Sequence, residues 1–372
     1  MTGFFNRRVL YVGPDYTGSN GTCWRDALED LGYEVTTINS ETFLPEPATF
    51  LGRVARKVHG HPPFGAIGRL NDAVAFAYHR TQPAFTFYVK ATCISAEVLE
   101  ETAKGGPNFA FMNDDMFNPA NQACFFWEGI ERLQYIITTK SFNVREFQKA
   151  GAPLVAYLPN AYDPKVHYPV PPSASDSRVY AGDVALIGTF RLDRADFLSR
   201  LASFSREFKL NVWGGGWEKI RRIEHLHKRL RWRALAACVR GAELWGAKMG
   251  MAIQANRICL GLLNHDNRDG HTSRTFEIPA CGGFMLAERT EEQRMLFEED
   301  KEAVYFGSWD ELLDKVRFYL AHEDARARIA RAGYHKCVGF PNTYVDRART
   351  AIALYQAHCS GTGAVIGPVF VV

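Results

Sequence analysis

Arg274 and Glu277 stand three residues apart in the run Ser273-Arg274-Thr275-Phe276-Glu277-Ile278-Pro279-Ala280-Cys281-Gly282-Gly283. A guanidinium is a fixed planar cation that meets phosphate oxygens in pairs. A carboxylate one helical turn later offers an acceptor to the hydroxyls of a sugar. Together the two suit a diphosphate and a ribose. The flanks fit this reading. Residues 258–263 are apolar and short enough for a buried strand, and residues 264–272 form a polar loop. Thr272 and Ser273 are expected to cap a helix that Gly282-Gly283 would stop, before residues 284–286 resume as a strand. A helix starting beyond the carboxyl end of a strand aims free amides at an anion. The competing reading is a short helix with a surface i,i+3 ion pair.

Other residues extend the pattern. Asp269 precedes Glu277 by eight positions, a spacing that would set a carboxylate near the sugar, although Asp269-Gly270 also reads as a turn dipeptide. His271 would donate to a phosphate or sugar oxygen, or be a solvated loop histidine. Gly188-Thr189-Phe190-Arg191 follows an apolar run, where glycine allows close approach of a ligand to the backbone. Arg194 would then complement phosphate charge, unless it is a solvated arginine beside an ordinary turn. Asn113-Asp114-Asp115 ends another apolar run. Asp114 there is a candidate catalytic group on the acceptor side, and a helix cap is the plain alternative for one of these acids. Lys90 and Lys140, also at strand ends, would meet an anionic substrate or simply be solvated. Gly13, Gly18 and Gly21 have the wrong spacing for a dinucleotide fingerprint, and Asn39-Ser40 replaces the acid expected after the second strand.

The elements that must position these residues alternate. Short apolar runs at 9–12, 35–38, 85–89, 109–112, 135–139 and 155–158 are separated by helical patterns, as in βαβ units of a parallel sheet. Residues 168–177 carry Pro169, Pro171 and Pro172 with several serines, which favours an extended connection. Beyond it the alternation restarts with runs at 184–187 and 210–213, the latter followed by the turn Gly214-Gly215-Gly216-Trp217. The expected architecture is α/β, with two Rossmann-like domains facing each other across a cleft. Residues 1–167 form an amino-terminal acceptor domain, 168–180 a linker, 181–342 a donor domain and 359–372 a tail. A final helix over 343–358 returns to the first domain.

Composition sets the bounds. At 372 residues two domains are the better expectation, and 47% hydrophobic with 23% charged residues is ordinary for a globular chain. A net charge of +3 does not by itself indicate a nucleic-acid protein. The eight cysteines have no zinc spacing and read as reduced thiols. Residues 1–8 carry charge with no apolar core after them, so no signal peptide is expected, and the apolar run 363–372 is interrupted by Pro368. Residues 219–233 contain seven Lys or Arg among His, Leu, Ile and Trp232. Such a run attracts anionic lipid or polyanionic glycan, or is a basic solvent face; Arg53, Arg56 and Lys57 near Phe64 pose the same choice.

On these residues the chain resembles the CgeB-like glycosyltransferases, similar to retaining nucleotide-sugar enzymes of GT-B fold. The resemblance spans roughly residues 8–355 and is most specific over 274–283. It is supported at 183–194, at Trp213-Gly214-Gly215-Gly216-Trp217, and at 138–144, 158–164, 309–312 and 343–347. It implies that Glu277 binds the donor ribose while Arg274 and the helix amides, with Thr272 and Ser273, meet the diphosphate. Gly188, Thr189 and Arg194 would line the same pocket, with Gly214, Trp217 and His271 on the donor side. The family tends to carry His where this chain has Asn342, and Glu where it has Asp269.

The resulting expectation is a glycosyltransferase moving a sugar from a nucleotide diphosphate to a glycan-type acceptor hydroxyl. It would be retaining, would need no metal or other cofactor, and would have no nucleic-acid partner. Arg274, Asp269, Asp114 and Lys90 are the expected catalytic groups. The expected place is the cytoplasm, with peripheral contact at the inner membrane face through the basic patches. A nucleotide-sugar epimerase of the same fold and a non-catalytic glycan or envelope assembly protein are the alternatives.

Overall fold

The computed structural model describes residues 6–44, 60–221 and 230–360, and these divide into two compact units. The first holds the chain up to Pro159, the short segment His265–Asp269 and the carboxyl-terminal stretch from Tyr344; the second holds Asn160–Asn264 and Gly270–Thr343.

In the first unit, β1 (Arg8–Gly13), β2 (Glu34–Asn39), β3 (Phe85–Val89), β4 (Asn108–Met112), β5 (Tyr135–Thr138) and β6 (Val155–Tyr157) form one parallel sheet in the order β2-β1-β3-β4-β5-β6. β3, β4, β5 and β6 are buried at every position, as a parallel sheet covered on both faces requires. Side chains alternate between two different cores. Leu10, Val12, Tyr88, Ala110, Met112 and Ile136 face one mixed aliphatic and aromatic cluster with the helix Phe64–Thr81. Their neighbours face an aromatic one, in which Trp24 packs 5.2 Å from Phe87 and 5.1 Å from Phe111. The helix Tyr344–Cys359 closes that aromatic face. Tyr344 lies 6.1 Å from Trp24, Tyr355 lies 4.9 Å from Phe109, and buried Arg347 donates to the carbonyl of Pro159. The return of the last helix to the first unit, expected from sequence, is thus held by aromatic packing and one buried guanidinium.

The second unit has β7 (Gly182–Ile187), β8 (Leu210–Trp213), β9 (Val239–Gly241), β10 (Asn256–Gly261), β11 (Met285–Glu288) and β12 (Val304–Phe306), parallel in the order β12-β11-β10-β7-β8-β9. The two sheets give the expected α/β architecture. The proline-rich stretch differs from expectation: residues Ala174–Tyr180 are a helix, because Ser173 and Asp176 form a capping box that nucleates it. The stretch also lies within the second unit, since the division falls after Pro159. The chain just beyond that point is tied to the second unit where Tyr162 pairs with Thr343.

Candidate functional site

In an open parallel sheet, ligands bind beyond the carboxyl ends of strands where the strand order reverses. In the second unit that place is between β7 and β10. A cavity of about 160 Å³ opens there, lined by Gly188, Thr189, Arg194, Thr272, Ser273 and Arg274 over a floor of Ile187 and Leu262. The structure therefore brings together residues from two separate segments that the sequence had nominated. Drug-sized ligands fill pockets of roughly 300–1,000 Å³. This cavity has the scale of a diphosphate.

Arg274 opens the helix Arg274–Ala280, and its Nε donates to the Ile187 carbonyl at 2.8 Å. Its guanidinium pairs with Glu277, the i,i+3 contact of the competing reading, yet the pair is not at the surface: the Glu277 side chain is 5% exposed. The helix ends in a Schellman motif. Gly282 at φ +74° donates to Pro279 and Gly283 donates to Ile278. At the other end the expected cap is absent. Ser273 is itself in the helical region and makes no side-chain cap, while Thr275 Oγ1 accepts from the Thr272 amide. The Ser273 backbone has already turned into the helix, so its side chain cannot reach back as an N-cap does.

The sequence reading missed His167. This side chain is buried, and its Nε2 lies 3.5 Å from Glu277 Oε1. Burial first, and then the Arg274 charge, push the imidazole down to about 3, so it is neutral near pH 7. The spacing Asp163-x-x-x-His167 was the only available signal, and it is one that any turn can carry.

Arg194 acts as a brace. Its Nη1 donates to Thr189 O and its Nη2 to Leu262 O and Leu263 O, fixing the loops after β7 and β10 relative to each other. Gly214 lies at φ +148°, and a Cβ built on it would sit 2.0 Å from the Gly188 carbonyl. Trp217 is buried and its indole N–H donates to that same carbonyl at 2.8 Å. Trp217 thus steadies the Gly188 loop through its indole N–H, and it also lines the neighbouring hollow beside Gly214–Gly216. His271 is corrected as well. It is neither solvated nor turned to the cavity: the ring is fully buried, Nε2 accepts from the Asn160 amide at 3.0 Å, and Nδ1 contacts Glu292 Oε2 at 2.8 Å.

Within the first unit, the carboxyl ends of β4 and β5 meet the segment His265–Asp269. Lys140 Nζ lies 2.5 Å from Asp269 Oδ1, with both side chains buried. Asp115 takes Arg268 in two hydrogen bonds of 2.6 and 2.8 Å. Asp114 pairs with Lys90 and accepts from Asn267 at 2.7 Å. Burial works to raise Asp114 and Asp115, but the facing cations and hydrogen bonds win and hold both carboxyls below the usual aspartate range. Each acid of the Asn113-Asp114-Asp115 run therefore faces its own cation, and neither caps a helix. Lys140 is not solvated. Lys90 is left-handed (φ +53°) and borders a larger cavity of about 520 Å³ at the β1/β3 reversal, with Tyr16, Ser19, Glu41 and Asn113.

Of the basic run, Trp232 is buried and donates to Asp196, and Arg231 lies 3.7 Å from the same carboxylate. Residues 222–229 lie outside the described residues, as do Arg53, Arg56, Lys57 and the run 363–372. Among the described residues, no helix is long and apolar enough to cross a membrane.

Residues 194–353, which include the cavity arginines and the helix Arg274–Ala280, match the family described as glycosyl transferase-like. The chain is a glycosyltransferase of GT-B fold. Solved structures share this fold along nearly all of the chain at low identity. Sucrose-phosphate synthase from Thermosynechococcus elongatus superposes with a TM-score of 0.66 at 12% identity, covering 95% of this chain and 100% of that one. Anabaena HepE, in complex with UDP and glucose, gives 0.61 at 15% identity over 95% and 100%. A putative UDP-N-acetylglucosamine 2-epimerase from Listeria monocytogenes gives 0.56 at 11% identity over 99% and 100%. No curated protein sequence matches the chain.

Proposed function

We propose that this glycosyltransferase takes its sugar from a nucleoside-diphosphate donor held by the second unit, with Arg274 and the 272–274 backbone at the diphosphate and Glu277 at the ribose. The observation that carries the reading is the cavity itself, which gathers Gly188, Thr189, Arg194 and Arg274 at the strand-order reversal. A neighbouring hollow of about 330 Å³, lined by Gly214–Gly216, Ile220, Ala236 and Val239, adjoins it through the Gly188–Gly214 contact and offers room for the base. The similarity to HepE, which was crystallised with UDP and glucose, and the CgeB-like motifs support the same donor class.

In the proposed reaction the bond from the anomeric carbon to the diphosphate breaks, and a bond to the acceptor oxygen forms with retention. The acceptor proton passes to the departing phosphate. Arg274 and backbone amides meet the charge developing there, so that no metal is required. The acceptor is a glycan-type hydroxyl held by the first unit in the cavity beside Lys90. Asp114 and Lys90 set its electrostatics as a neutralised pair, and Asp269 stands as the partner of Lys140.

The test is a transfer and donor-hydrolysis assay on wild type, Arg274→Ala and Glu277→Ala, run with UDP-, GDP-, ADP- and dTDP-sugars. Loss of turnover in both variants is expected. Wild-type turnover in both would remove the site, and an epimerised donor formed without any acceptor would favour the epimerase instead.

A further inference from the structure

We propose that His167 is a positioning residue for the donor: its Nε2–H aims the Glu277 carboxylate at the ribose hydroxyls. The inference rests on the donor reading above and assigns a role to a side chain outside the cavity lining.

The ring is oriented by its own turn. The amides of Val166 and His167 both donate to the Asp163 carbonyl, at 3.0 and 2.7 Å, and the Lys165 amide donates to Asp163 Oδ1 at 2.8 Å. The Asp163 amide, in return, donates to His167 Nδ1 at 3.0 Å. An imidazole nitrogen that accepts a hydrogen bond carries no proton, so the neutral ring is protonated at Nε2. Nε2 lies 3.5 Å from Glu277 Oε1, while Oε2 of the same carboxylate pairs with Arg274. The contact is too long for a formed hydrogen bond, and its closing when a ribose engages Glu277 is part of the proposal.

The division of labour follows from charge. Arg274 supplies the cation, which a diphosphate would share. A second cation on Glu277 would weaken its acceptor power toward hydroxyls, whereas a neutral N–H gives direction and leaves the carboxylate its charge. Burial and the Arg274 charge keep the ring neutral. Phenylalanine at this position would fill the same space and provide no direction.

The experiment is calorimetric titration of the full chain with whichever of UDP, GDP and ADP binds most tightly, against its 2′-deoxy counterpart. Wild type is expected to prefer the ribonucleotide by about tenfold or more, one hydrogen-bonded hydroxyl to a charged acceptor. Glu277→Gln should collapse that preference. His167→Phe should reduce it to within about threefold, and His167→Gln, whose amide nitrogen reaches the Nε2 position, should restore most of it. A lost packing contact would weaken both nucleotides alike and leave the ratio unchanged. If His167→Phe does not fold, His167→Asn is read by the same ratio, since it keeps a polar group near Nδ1 and nothing at Nε2. A wild-type preference in the His167 variants, with the preference lost in Glu277→Gln, overturns the role of His167 and leaves the donor site standing. No preference in wild type overturns both.

Discussion

Lys140 and Asp269, 129 positions apart in the chain, form an ion pair of 2.5 Å with both side chains buried. It anchors a five-residue segment, His265–Asp269, into the first unit although the chain on either side of that segment belongs to the second. Breaking a buried ion pair by removing one member costs about 3–5 kcal/mol, whereas removing both is far milder. Lys140→Met should therefore lower stability by about 3 kcal/mol, and Lys140→Met/Asp269→Asn should recover most of the loss. Urea unfolding of the double-mutant cycle measures it; additive losses would show that the pair is not coupled.

Gly214 predicts a different failure. Its φ of +148° and the 2.0 Å gap that an added Cβ would leave to the Gly188 carbonyl give no place for a side chain. Gly214→Ala must either strain the backbone or push the loop after β7 away, with a cost of about 2 kcal/mol or more. A melting temperature within a degree of wild type would contradict the close approach. Where the variant still folds, nucleotide affinity should fall with it, because Gly188 lines the cavity.

His167 gives a pH signature of stability. Its pKa is about 3 in the folded chain, against an unfolded value near 6.5. Above pH 6.5 both states are neutral and the histidine contributes no pH dependence. Below it the unfolded chain takes up a proton that the folded one refuses until about pH 3, so stability falls with pH across that window. The slope from this group is about 1.4 kcal/mol per pH unit. Denaturant unfolding of His167→Gln should show a shallower decline between pH 6.5 and 5 than wild type. Equal slopes would mean that the ring is not held neutral.

Much of this was legible in the sequence, and the reasons are local. β3, β8 and the helix stop at Gly282-Gly283 follow from apolar runs and glycine punctuation, which act over a few residues. The cavity residues were legible because Gly188 and Thr189 follow β7 directly, while Arg194 and Arg274 stand in the first turns of the helices that come after β7 and β10. Partner choice was not legible. That Lys140 would find Asp269, Asp115 find Arg268 and His271 close on Asn160 depends on which segments the fold brings together, across separations of 129, 153 and 111 positions. The side-chain cap expected at Ser273 failed for a smaller reason, since the chain enters the helix one residue early there. The capping box at Ser173 was in plain view and was masked by the prolines before it.

The most direct test of the central claim is calorimetric binding of UDP, GDP, ADP and dTDP to the wild-type chain and to Arg274→Gln, with folding of each checked by its melting transition. At least one nucleoside diphosphate is predicted to bind the wild type and to lose about 2–5 kcal/mol of affinity when the guanidinium is removed. Equal affinity in the folded Arg274→Gln protein, or no binding of any of the four to wild type, would contradict a diphosphate site at Arg274.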